Sequence, residues 1–252
     1  MNAAVVTRAT MPSIPRPRMP MDARVEEPVR ITSAVAYQRV MHQVFRREFR
    51  LLGDLTGWAP TDDLDRAAEL TRHADLISRV LLQHHATERD LLWPALFDSL
   101  PPGRHGAARR VIADWTSRAA LLDHALRDLG TVGRQWAVTG SRSARDVFRR
   151  ACDQVADAVE AHTAAEESLL LPLLGRYLQD GDWTAVSRAA RTSLDGRQQM
   201  LVLGLALEDA CAIDRARLMA GLSPSARTAW RMFGRRTFRA AVVRLRGAPP
   251  AA

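Results

Sequence analysis

The chain has no lysine and only two cysteines, Cys152 and Cys211, among 252 residues. Two isolated cysteines do not make a disulfide framework, and both are expected to be reduced and buried as small hydrophobes. No apolar run reaches the roughly 18 residues that a membrane-spanning helix needs. No apolar segment follows Arg8, Arg16 and Arg18, so the start does not read as a secretion signal. The expected compartment is the cytoplasm, with no membrane partner. Aromatic residues make up only 6% of the chain and β-branched residues are sparse and scattered, which disfavours strands. The sequence holds no Walker loop, no glycine-rich dinucleotide motif and no Ser/His/Asp arrangement, which argues against nucleotide-dependent and serine-hydrolase chemistry.

What is present is alanine, leucine and arginine, all good helix formers. At 47% hydrophobic residues the chain is globular. All 36 cationic side chains are arginine and the net charge is +8. So much arginine beside so much alanine reads as a codon preference. The arginines are spread along the chain, with a modest excess from Arg227 to Arg246 and no recognition motif, so no nucleic-acid partner is expected.

Prolines at positions 12, 15, 17, 20 and 28 mark residues 1–30 as a flexible Pro/Arg-rich tail. Periodicity then predicts helices over 33–53, 61–97, 104–129 with Gly130 as cap, and 143–178. Their short connections predict an all-α, up-down-up-down four-helix bundle over residues 31–179. Residues 180–252 are predicted to add a C-terminal extension of two helices, one over 181–211 and one opened by Ser223-Pro224.

The strongest signal is an internal repeat. The second helix reads HHATERDLLWP and the fourth HTAAEESLLLP, which aligns His84, Glu88 and Pro94 with His162, Glu166 and Pro172, 78 residues later. The first and third helices each offer a histidine, His42 and His124. Residues four apart share a helix face, so each His-x-x-x-Glu aims one imidazole and one carboxylate in the same direction. Both pairs lie on apolar stripes, with Ile77, Val80, Leu81, Leu91 and Ala95 around His84, and Val155, Ala158, Val159, Leu169 and Leu173 around His162. Polar groups on such stripes are costly unless paired or metal-bound. One buried histidine or one buried glutamate has ordinary explanations; two matching pairs plus a histidine on each remaining helix point to a metal site of His42, His84, Glu88, His124, His162 and Glu166. That set is too large for one tetrahedral zinc. It suits two metals of the iron, copper or manganese type, with bridging glutamates. The neighbouring His85 points about 100° away from His84 and is left off the face. His73 is on the stripe but about 16 Å along the axis, too far for the same ion. His105, Glu48 and Glu160 are read as solvated or paired with arginines. Asp128, one turn after His124, stands as a candidate seventh ligand, and Asp123 or Asp128 as a partner for an imidazole N–H.

On these motifs the chain resembles the hemerythrin-like family with its HHE cation-binding domain, over about residues 33–178. Its helical extension, with LGLALEDA and WRMFGRR, looks like that of actinobacterial members. The resemblance implies a non-heme centre of two iron ions bridged by oxo or hydroxo and by two carboxylates, with O2, NO or peroxide on the open positions. The oxygen carriers of the family use five histidines, two of them one turn apart on the third helix; here Asp128 follows His124, and Glu166 stands where the carriers have aspartate. That departure shifts the expectation from O2 carriage toward oxidoreductase chemistry on NO, peroxide or a small organic substrate. An O2 or NO sensor, or an iron-storage bundle acting through its interactions, is the alternative. The chain is expected to be a monomer or homodimer.

Overall fold

A computed structural model describes residues 30–190 and 192–247; the predicted tail lies outside them. Among the described residues the chain is all-helical. Helix α1 spans Ser33–Trp58 and α2 spans Leu64–Thr87. Helix α2 continues through a π turn, Glu88–Leu92, into α3, Trp93–Ser99. Helix α4 spans His105–Thr139 and α5 Arg142–Leu169, followed by α6, Leu171–Tyr177. The long helices close a cycle: α1 packs on α5 and α2, and α4 packs on the same two.

Local chemistry sets the ends. Thr32, Asp63 and Ser141 accept the first free N–H groups of α1, α2 and α5. Two predicted ends are corrected. Gly53 does not stop α1: a Cβ there would meet the Asp153 carboxylate, so this glycine lets α5 approach α1 closely. Gly130 does not cap α4, which runs on to Thr139 and ends at Gly140 in the left-handed conformation, φ 61°. The Asp62 N–H then donates to the Gly140 carbonyl (3.1 Å), tying the α1–α2 and α4–α5 loops together.

The core falls into two apolar clusters. One holds Phe45, Phe49, Leu70, Ile77, Leu126, Phe148 and Val159. The other holds Val35, Leu92, Trp93, Trp115, Leu170 and Leu174. A polar layer separates them. Past each glutamate of the repeat the buried stripe shifts by one residue. Leu92 and Leu170 are each 1% exposed, whereas Leu169, predicted on the inner face, is 44% exposed. In α2 the π turn supplies the extra residue. In α5 the helix breaks at Leu170. Pro94 and Pro172 follow these breaks, where their missing N–H costs least.

The extension holds more helices than the two predicted: α7 (Asp180–Ala189), α8 (Gly196–Glu208), α9 (Ala212–Gly221) and α10 (Pro224–Ala229), the last running through a π turn, Trp230–Gly234, into α11 (Arg235–Arg246). The predicted 181–211 helix is interrupted because Asp195 starts a new one with a reciprocal cap to Gln198. Cys211, predicted to be buried, is exposed and caps α9. Helices α7, α8 and α9 all pack on α1. A charge cluster fastens this contact: buried Glu48 accepts from Arg47 and Arg246 (both 2.7 Å) and pairs with His73 (2.8 Å), and Arg246 also bonds Glu208. These pairs are where the structure places the Glu48 and His73 of the sequence reading. His105 opens α4, half-buried, with its ring stacked on Phe97 at 4.5 Å.

Candidate metal centre

The polar layer is built from three helices. Helix α1 supplies Gln38 and His42, α2 supplies His84, His85 and Glu88, and α5 supplies His162 and Glu166; all seven are buried. His42 Nε2 lies 3.3 Å from Glu166 Oε1, His84 Nε2 3.3 Å from Glu88 Oε1, and His162 Nε2 3.8 Å from Glu166 Oε2. One ligand atom each from His42, His84 and Glu88 falls within 4.8 Å of the others. Gln38 Nε2 donates to Glu88 and, at 3.3 Å, to Glu166, so one amide holds both repeat carboxylates. Trp115 Nε1 donates to the other Glu166 oxygen at 3.0 Å.

His124 is not part of this layer. Its side chain is 71% exposed and its ion-pair partner is Asp128, itself 68% exposed, at 3.5 Å. The reason is periodicity. Buried positions of α4 run Ala108, Trp115, Ala119, Leu122, Leu126, Leu129, Gly133 and Trp136. His124 sits two residues from both Leu122 and Leu126, about 200° around the helix from each. The same exposure removes Asp128 as a neighbour of the layer.

His85 is brought in instead. Its side chain is 1% exposed, and its ring lies 5.0 Å from that of His162 and 5.9 Å from that of Trp115. His84, one residue earlier, faces the other way, toward the rings of Tyr37, His42 and Phe45. The two histidines do point apart, but α2 is buried over an arc wide enough to take both, between α1 and α4.

The electrostatics are those of an uncompensated cluster. Burial raises the Glu88 carboxyl well above its usual range, and the nearby Glu166 charge raises it further. Burial would raise Glu166 as well, but His42 outweighs it and Glu166 is held low. Burial lowers His84 well below the ordinary imidazole value, with the neighbouring His42 adding to the effect. Burial, then His85, takes His162 down to about 4. For His42 burial is outweighed by Glu166 and Glu167, which lift it to about 9.

The donor set fits a metal on a specific observation. His42, His84, His85 and His162 each bury an Nε2 with no hydrogen-bond partner, and Glu88 buries an unpartnered Oε2. Such atoms are costly in a core. Two of the rings are also oriented from behind: His42 Nδ1 pairs with Glu167 at 3.0 Å and His85 Nδ1 with Asp123 at 2.6 Å. A carboxylate at Nδ1 fixes the tautomer that turns the Nε2 lone pair inward, as metal-bound histidines require. Of these supporting groups only Asp123 is among the partners expected from the sequence. Gln38, one turn before His42 on the same face, carried a readable signal. Trp115 and Glu167 carried none, since each acts across helices.

Fold and site thus define a helical protein with a buried His/Glu cluster that could hold a metal ion. The sequence matches the family model of the hemerythrin HHE cation-binding domain over residues 33–180, and the chain belongs to that family. Searches of curated proteins and of solved structures returned no match.

Proposed function

We propose that the chain holds two iron ions in an up-down-up-down bundle, and that this centre reacts with peroxide, NO or O2 as an oxidoreductase. The observation that carries the reading is four Nε2 atoms and a Glu88 oxygen in one buried layer, none with a hydrogen-bond partner among the described residues. His42, His84, His85, Glu88, His162 and Glu166 would be the protein ligands, with His85 in the place expected for His124. The tie between the α1–α2 and α4–α5 loops supports the antiparallel order of helices. Two ferrous irons would supply one electron each, the two that reduce peroxide to water.

The residues around the layer have separate tasks. Glu167, steadied by Arg46 at 3.0 Å, holds His42 in its inward tautomer. Asp123 does the same for His85. Gln38 keeps the two carboxylates side by side, and Phe45, Trp93 and Trp115 shut bulk water out of the layer. With six protein ligands for two irons, open coordination positions remain for a small reactant.

The test is metal analysis and an absorption spectrum of the purified protein, before and after peroxide and NO. The expected result is two irons per chain, an oxo-bridge charge-transfer band, and peroxide or NO consumption that is lost in Glu88→Ala. One zinc, or no metal, would overturn the reading. A stable reversible O2 adduct without turnover would mark a carrier or sensor instead.

A further inference from the structure

Between the bundle and the extension lies a cavity of about 380 Å³, walled mainly by apolar side chains such as Trp183, Val202 and Leu203 and reaching Tyr37 and His84. Its size is informative. A water takes up about 30 Å³ of liquid, so O2, NO or peroxide would fill a small part of it. The space instead matches the lower end, about 300 Å³, of pockets that enclose organic ligands.

Two observations say what such a ligand would be. Arg217 lines the cavity, yet its Nε is shut from solvent with no acceptor, and its guanidinium enters no hydrogen bond or ion pair among the described residues. Arg79, the other arginine on the wall among the described residues, is already paired with Asp75 at 3.0 Å. A buried guanidinium N–H without an acceptor is costly, and a planar carboxylate satisfies it best. The Tyr37 ring, also on the wall, lies 5.2 Å from the Trp183 ring and 5.9 Å from the His84 ring, so it borders the cavity and the polar layer together.

We propose that this cavity is a binding site for a small apolar carboxylate, its head on Arg217 and its apolar body against Trp183 and Tyr37, beside His84. The inference deepens the iron-centre reading by naming the class of organic molecule held next to it, and it rests on that reading for the ligand's role, though not for binding.

The test is calorimetric titration of the full, iron-loaded chain with decanoate, decanol and decyltrimethylammonium. Decanoate is expected to bind at least tenfold more tightly than the cation. Arg217→Gln should weaken decanoate about tenfold, the loss of one charge-assisted hydrogen bond, and leave decanol within about threefold. Val202→Trp should fill the space and abolish decanoate binding. Arg217→Gln leaves the apolar side chains of the wall unchanged, so it carries the test if Val202→Trp does not fold. Absence of decanoate binding, or decanoate binding unchanged in both variants, overturns the proposal. Iron content and peroxide consumption measured on the same samples separate the two claims. Binding without iron chemistry overturns only the centre's reading; iron chemistry without binding overturns only the cavity's.

Discussion

The sharpest test of the site is to exchange the fates of His85 and His124. His124→Ala removes an exposed imidazole whose ion-pair partner is the exposed Asp128, one turn on. An exposed pair of this kind contributes about 0.3–0.5 kcal/mol, and the better helix propensity of alanine offsets roughly as much. The variant should therefore melt within a degree or two of the parent and keep its full iron content. His85→Gln is different. It retains a hydrogen-bond donor and much of the volume, but removes the Nε2 that faces the layer and loosens the Asp123 contact, now 2.6 Å. Its metal-free form should lose about 1–3 kcal/mol through imperfect packing and pairing. The decisive reading is stoichiometry after anaerobic ferrous loading and desalting: close to two irons per chain in His124→Ala, falling toward one in His85→Gln. If His124→Ala loses iron while His85→Gln keeps two, the assignment of α4 to an outer, non-ligating role is wrong.

Three further outcomes follow from the same structure. Glu48, 0% exposed, has its carboxyl held at about 2 against an ordinary 4.5: burial would raise it, but the His73 hydrogen bond and charge, then Arg47 and Arg246, prevail. A depressed folded-state pKa gives stability that is complete above about pH 4.5 and lost as pH falls toward 2. The amount is about 3 kcal/mol, so urea unfolding between those pH values should show a steep acid loss that Glu48→Gln flattens; equal slopes would refute the network. Asp123→Asn should weaken iron binding by about 10- to 100-fold in chelator competition, the usual effect of losing the carboxylate behind a ligating imidazole; unchanged affinity would leave Asp123 without that role. Chelation of the loaded protein should lower stability by about 4 kcal/mol where metal stands near a thousand times its Kd, a drop of roughly 8–16 °C for a chain of this size; a Tm indifferent to chelation would argue against a metal in the layer.

Much of this was readable from the residues alone. The two His-x-x-x-Glu pairs and the four long helices follow from local periodicity and chemistry, whereas the π turn at Glu88–Leu92 and the break at Leu170 interrupt helices predicted as continuous over 61–97 and 143–178. The error at His124 came from extending the repeat to α4 by offset rather than by face. The stripe through Ala119, Leu122 and Leu126 already placed residue 124 outside. The error at His85 had another origin. A rule that allows one inward face per helix fails for a helix packed on two neighbours at once, and only the packing of α2 on both α1 and α4 reveals it. Trp115 and Glu167 act on side chains of other helices, which no sequence spacing encodes. The charge cluster around Glu48 depends on Arg246, 198 residues away, and was equally out of reach.

The two copies of the repeat also contribute unequally, and the fold accounts for it. Helices α1 and α2 bring His42, His84, His85 and Glu88, whereas α5 brings His162 and Glu166 and α4 only the supporting Trp115 and Asp123. What the copies share is the one-residue slip after each glutamate, made by a π turn in one and a helix break in the other. Without that slip, a stripe that carries Ile77 and Leu81 into one cluster would carry Leu91, not Leu92, toward the other. The slip lets each cluster keep its own regular stripe while the polar layer between them takes the spacing its ligand atoms need. This is the setting in which π turns recur near functional sites. The layer can therefore be read as a seam: the side chains that would hold metal sit where the helices change register, and the two apolar clusters on either side fix their positions without having to share their geometry.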